Sequence, residues 1–308
     1  MNEAKLFSDE ELYSLIAAED CEEIIGRLKD RGWGDELVSE TAVTLTETEQ
    51  KRLWKFMAEI VPDGHVFDFF TVKNDYRNLK SVLKAFYSGK DTAAGYTKPA
   101  SLSLAELEKA VSERSFAPLH GMAPVAEEAY DVLTRTGDGQ AADLIIDRAA
   151  LRLSYEATQK TGDPFIAGFG DLWAALTDIK TAFRAARNGK DAEFITENTV
   201  ATPALDVRAL AEAAVDGPES LISYLTRGSF AACGEALKIS AEALEKACDD
   251  MIVEYCKRAK LETFGTSPLF AYVIAKETEL RSVRIILSAK NAGLSEEEIK
   301  SKVRRSYV

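Results

Sequence analysis

The sequence predicts an all-α fold made of three similar helical units, each about 100 residues long. Three observations carry that prediction. Ala, Leu, Glu and Lys are abundant and proline is scarce, as helices require. Helix openers of the capping-box type stand at Ser8-Asp-Glu-Glu11, Ser103-Leu-Ala-Glu106 and Ser295-Glu-Glu-Glu298. One motif returns three times: Asn78-Leu79-Lys80-Ser81-Val82, Asp178-Ile179-Lys180-Thr181-Ala182 and Glu279-Leu280-Arg281-Ser282-Val283. A fixed period means an architecture assembled from like parts. The expected divisions are residues 1–100, 101–204 and 205–308, arranged pseudo-threefold.

In chain order, Ser8 opens a first helix carrying Leu12, Leu15 and Ile16. A second, from Glu22 to Leu28, stops near Gly32-Trp33-Gly34. A third begins at Thr46, with Leu53, Trp54, Met57 and Ile60 on its apolar face, and breaks at Pro62-Asp63-Gly64. The apolar run Val66 to Phe70 starts the first copy of the repeated helix. Thr92 to Ser103, with Gly95 and Pro99, is a linker, and the next helix carries Leu107 and Val111. A loop with Pro118, His120, Gly121 and Pro124 comes next, then a helix from Val125 to Leu133 that ends at Gly137-Asp-Gly139. A long helix from Ala141 to Gln159 leads to the second copy, with Gly168-Phe-Gly170 read as a turn. After a second linker, Glu193 to Pro203, Asp206 begins a helix with Leu210 and Ala214. Gly217-Pro218 restarts the chain as a helix with Leu221, Ile222 and Leu225, and Gly228 and Gly234 punctuate the next stretch. A helix from Glu242 to Lys260 precedes the third copy.

That third copy is the clearest. Leu280, Val283 and Leu287 recur at spacings of three and four, so one stripe faces a core. Glu277 precedes Arg281 by four, the favourable order for a helix ion pair. Gly293 closes the helix as a left-handed cap. The repeat extends beyond one helix: Trp54, Tyr155 and Tyr255 each stand 24 or 25 residues before Leu79, Ile179 and Leu280. A trailing helix comes after each copy, with paired apolar positions at Leu107 and Val111, Leu210 and Ala214, and Ile299 and Val303.

Composition excludes several functions. Lys plus Arg is 38 against 51 Asp plus Glu, a net charge of −13. That balance opposes nucleic-acid binding, which needs a basic face, and adhesion to anionic lipid. No run of apolar residues is long enough to insert in a bilayer. The N-terminus lacks the apolar core of a secretory signal. Cys21, Cys233, Cys248 and Cys256 form no CxxC pair, which suits buried thiols in a reducing cytoplasm. The two histidines, His65 and His120, lie far apart in loops and have no ligand spacing for zinc. There is no GxxxxGK[ST] and no GxSxG. Glu296-Glu-Glu298 at a helix start answers to the helix dipole. No catalytic residue, cofactor or metal is therefore assigned.

The basic residues of the repeat are the candidate partner-binding set. Lys80, Lys180 and Arg281 follow the marker leucine or isoleucine, and Lys84 and Arg184 recur one turn later. The plainer reading is a solvated helix face paired with Asp75, Asp178 or Glu277.

Glu277-Thr-Glu279-Leu280-Arg281-Ser-Val-Arg284-Ile-Ile-Leu287, with Lys290-Asn-Ala-Gly293-Leu-Ser295 and the closing Ser306-Tyr307-Val308, resembles the C subunit of archaeal and bacterial V-type (A-type) ATPases, called the d subunit in eukaryotic vacuolar enzymes. The opening Lys5-Leu-Phe-Ser8-Asp-Glu-Glu-Leu12 and Ala18-Glu-Asp-Cys-Glu-Glu-Ile24 is similar to the same family. Members carry a further helical segment before the position of Lys5, where this chain has Met1-Asn-Glu-Ala, so the resemblance implies a trimmed first unit. It also implies a funnel-like, non-catalytic connector on the cytoplasmic face of the membrane. Such a connector seats on the proteolipid ring, accepts the D and F stalk subunits, and transmits rotation. The repeat alone would also fit a generic helical adaptor, although such repeats usually span only about 34–47 residues.

Overall fold

The structure, a computed structural model, describes residues 5–34, 41–61, 64–89, 96–262 and 264–308. The fold is all-α, without a β-strand among the described residues beyond one isolated bridge between Thr202 and Leu205. The helices are α1 (Asp9–Ile16), α2 (Cys21–Asp30), α3 (Ala42–Ile60), α4 (Asp68–Ser88), α5 (Leu104–Ser112), α6 (Ala123–Thr136), α7 (Gly139–Lys160) and α8 (Pro164–Arg187). They continue as α9 (Ala192–Glu197), α10 (Val207–Asp216), α11 (Pro218–Thr226), α12 (Ala231–Leu237), α13 (Ala241–Cys256), α14 (Ser267–Asn291) and α15 (Glu296–Lys302). They fall into two compact units, one of Met1–Pro62 with Pro218–Val308 and one of Asp63–Gly217.

Local signals set most helix starts. Ser8, Ser103 and Ser295 each accept a backbone N–H while the Glu three residues on returns the bond, so all three predicted capping boxes form. Asp138, Asp163 and Asp206 cap α7, α8 and α10 through single carboxylates. Helix α3 starts at Ala42, earlier than Thr46, because Thr41 and Thr44 form a reciprocal cap of their own. Gly293 takes φ 74 just beyond α14, as predicted. The predicted break at Pro62-Asp63, the linker residue Gly95 and the N-terminal residues 1–4 lie outside the described residues.

Three sequence expectations are corrected. Gly168-Phe-Gly170 is no turn but lies within α8, where a Cβ on Gly170 would sit 1.8 Å from Thr158 Oγ1. The glycine is there for close approach of α7 and α8, and packing overrides its weak helix preference. Gly234 likewise sits inside α12, against Thr226 and Ile222 of α11. The linker from Glu193 to Pro203 begins with α9, capped by Asp191.

Each unit has its own core. In the first, Leu12, Leu15 and Ile16 of α1 and Ile24 and Leu28 of α2 pack on Leu280, Val283, Ile286 and Leu287 of α14. In the second, Leu79, Val82 and Leu83 of α4 meet Leu107 and Val111 of α5, Leu133 of α6 and Ile146 of α7. Burying one such side chain contributes about 1.5–3 kcal/mol. All three motif copies lie on long helices, α4 and α8 in one unit and α14 in the other. The phenylalanines Phe69, Phe169 and Phe270, ten residues before each marker, are all buried. Phe69 and Phe169 meet edge-to-face at 5.2 Å.

Candidate functional site

The three repeated helices share one inward register. Counting from Leu79, Ile179 and Leu280, the positions at −5, −4, −1, 0, +3 and +6 are buried in every copy. A helix turns about 100° per residue, so the −1 and +1 positions point to different sides. The −1 residue therefore faces inward and the +1 base outward.

At −1 each copy holds a buried polar anchor for an incoming stretch of backbone. Asn78 accepts the N–H of Thr97 at 2.8 Å and donates to its carbonyl at 2.9 Å. Asp178 accepts the N–H of Val200 at 3.2 Å. Glu279 accepts the N–H of Phe7 at 2.5 Å and the Lys276 ammonium at 2.6 Å. Lys276 lies 3.5 Å from Glu49 and 4.1 Å from the Trp33 ring centroid, so this buried charge is surrounded by partners. Burial pushes the Asp178 carboxyl up to about 8, only partly opposed by Val200. Burial also raises Glu279, against the pull of Lys276, and raises Asp75, against the bonds from Ser101.

Three of the outward bases, Lys80, Lys84 and Arg281, brace helix to helix. Lys80 pairs with Asp147 at 2.7 Å and Lys84 with Asp143 at 2.6 Å, a two-rung ladder between α4 and α7. Lys180 is half-buried and Arg184 exposed at the matching positions of α8. Arg281 reaches Asp249 of α13 at 2.8 Å, and Arg304 meets the same carboxylate at 2.8 Å. Burial disfavours the Asp249 charge, yet the two guanidiniums outweigh it and hold its carboxyl below the usual range. Lys80, Lys84, Lys180 and Arg184 thus share one unit and Arg281 belongs to the other. The expected partners Asp75 and Asp178 are turned inward to Ser101 and Val200 instead. Sequence reasoning missed Asp143 and Asp147, whose four-residue spacing matches that of Lys80 and Lys84 and was the available signal. Nothing in the local sequence marks Asp249.

The second unit also carries a cleft of about 830 Å³ that gathers both histidines. His65 Nδ1 lies 3.0 Å from Asp68 Oδ2, and His120 takes the uncommon φ of 49. Val72, Leu119, Met122 and Leu153 supply apolar lining, and Asp68, Glu106 and Lys160 supply charge. Its size is that of a ligand site. Among the described residues no group of His, Cys, Asp or Glu is placed to hold a metal ion. Cys233, Cys248 and Cys256 are buried thiols outside any disulfide, and Cys21 is half-buried.

Fold and site together define a class: an all-α protein in which three long helices of like motif anchor backbone on one side, and two of them, α4 and α14, form interhelical ion pairs on the other. A sequence model of the ATP synthase (C/AC39) subunit family matches residues 1–302, and the chain belongs to that family. It is 26% identical to the C subunit of the A-type ATP synthase of Methanocaldococcus jannaschii, over 97% of this chain and 82% of that one. It is 23% identical to the C subunit of the V-type sodium ATPase of Enterococcus hirae, over 84% of this chain and 80% of that one. The corresponding A-type ATP synthase C subunit of Haloquadratum walsbyi is 26% identical over 77% of this chain and 75% of its own length. No described helix is long and apolar enough to cross a membrane.

Proposed function

We propose that this chain is the non-catalytic central-stalk connector of a V/A-type rotary ATPase. In that role it joins the D and F stalk subunits to the membrane proteolipid ring, on the cytoplasmic face, and transmits torque between ATP turnover and ion transport. The observation that carries the reading is the family match over residues 1–302, with relatives named as the C subunits of both V-type and A-type complexes. The mechanics support it. A coupler must transmit strain, which a close-packed interior does. Here the repeated helices run 21, 24 and 25 residues, each with a continuous buried stripe. Interhelical pairs such as Lys80–Asp147 and Arg281–Asp249 resist sliding of one helix past another. The net charge of −13 complements the Lys and Arg enriched in cytoplasmic loops of membrane proteins.

Reconstitution tests this. A complex assembled without the chain should hydrolyse ATP while failing to drive ion uptake, and adding the purified chain should restore the coupling. Full coupling without it, or capture of neither stalk nor ring by the tagged chain, would refute the assignment.

A further inference from the structure

The side helices of the repeat do not follow the order of the sequence. In the first copy, the segment anchored at Asn78 runs on to Ser103, which caps α5, and Leu107 and Val111 then pack on α4. In the second, the segment anchored at Asp178 runs on to Asp206, which caps α10, with Leu210 and Ala214 buried. The third anchor, Glu279, holds Phe7, the next residue Ser8 caps α1, and Leu12 and Ile16 pack on α14. In each case the apolar pair stands four and eight residues after the cap.

Helix α15 shows the same signature, with Ser295 as cap and Ile299 and Val303 at four and eight. It begins just beyond the end of α14, about 18 Å along the axis from Glu279 at 1.5 Å per residue. It therefore starts at the opposite end from the anchor, whereas α1 starts beside it, as α5 starts within about a turn of Asn78, where Ser101 donates its N–H to Asp75. Past α15 the chain closes on the α1 segment, where Ser306 donates its backbone N–H to Asp9 at 2.7 Å and its hydroxyl to the Phe7 carbonyl. Two long helices follow a similar shift. Helix α7, which precedes the second copy, packs on the first as well as on its own, and α3, which precedes the first, packs on the third through Arg284 to Thr46 at 3.0 Å, while α13 stays against the third copy that it precedes.

We propose that the repeat is cyclic: α14 carries a segment-binding surface whose occupant is this chain's own residues 7–16, the third copy's side helix displaced to the N-terminus. Glu279 reads the backbone of that segment and Leu280, Val283 and Leu287 read its apolar face. This assignment is independent of what the whole protein docks with.

Two variants of the full chain test it by hydrogen exchange. Phe7→Pro deletes the N–H that Glu279 accepts, and Val200→Pro deletes the one that Asp178 accepts. Each should speed exchange at least tenfold in its own side helix, α1 for the first and α10 for the second. Loosening of α15 rather than α1 in Phe7→Pro, or unchanged protection of α1, overturns the proposal. Should Phe7→Pro not fold, a graft decides. Replacing residues 7–16 by the sequence of residues 102–111 keeps the Ser, Glu and Leu of the box in register. The graft should retain one cooperative transition and the protection of α14, while a scrambled insert of the same composition loses both. A graft no better than the scramble refutes the equivalence.

Discussion

The carboxyl group of Asp178 accepts the backbone N–H of Val200, 22 residues further on, from a position without solvent exposure. With its pKa at about 8, the group is protonated in the folded chain near neutrality. An unfolded Asp titrates near 3.9. Between those values the folded state holds the extra proton, so this residue's contribution to stability is full below about pH 4 and declines as pH rises towards 8. Asp178→Asn mimics the protonated form and keeps an acceptor, as Asn78 does in the first copy. It should leave stability unchanged at pH 4 and raise it by roughly 1–3 kcal/mol at pH 8, less than the full shift because burial relaxes. Denaturant midpoints at the two pH values check this, and equal effects at both would contradict the assignment.

Gly170→Ala should destabilise the second unit. The new Cβ would lie 1.8 Å from Thr158 Oγ1 and 2.8 Å from its Cβ, and Thr158 is a stiff, fully buried side chain. Overpacking of this kind costs about 1–3 kcal/mol. Adding Thr158→Gly should recover part of that loss beyond additivity, measured as a double-mutant cycle by thermal unfolding. Additive single effects would mean that the two helices do not meet here.

The bracing pairs should differ in strength by their burial. Asp249→Ala removes the largely buried carboxylate shared by the largely buried Arg304 and the half-exposed Arg281, and should cost about 1–3 kcal/mol. Lys80→Ala and Lys84→Ala break pairs that solvent screens, and each should cost under about 1 kcal/mol. The depressed pKa of Asp249 gives the opposite pH sign to Asp178. Its contribution is present above the unfolded value and is lost as pH falls through the folded one. Asp249→Ala should therefore flatten the acid limb of the stability profile, and an unaltered limb would show that the charge is not held by its partners.

Docking should be electrostatic. If acidic faces meet basic loops, ring binding should weaken roughly tenfold between about 0.05 and 0.3 M salt, as exposed charges are screened. Neutralising Lys80, Lys84, Lys180, Arg184 and Arg281 together separates the roles of these bases. Binding lost while the melting temperature holds would make them contacts, and binding kept with a lowered melting temperature would make them braces. Salt-insensitive binding would point to an apolar interface.

Much of the molecule is written in short-range signals that the sequence alone determines. Ser8, Ser103 and Ser295 open helices because their caps need only residues three apart, and Leu79, Ile179 and Leu280 face inward because helical periodicity puts them there. The repeat and its family likeness are legible for the same reason. Only the tertiary structure decided which surface each element meets. It put Gly168-Phe-Gly170 inside a helix, with Gly170 where Thr158 leaves no room for a Cβ, and it gave Lys80 and Lys84 partners on α7. It also distinguished α1 from α15, two capped helices with the same signature, by bringing Phe7 to Glu279 across 272 residues. A cap or an apolar stripe carries no address. Which groove it fills depends on burial and polar pairing summed over the whole core, and that sum exists only once the chain has folded.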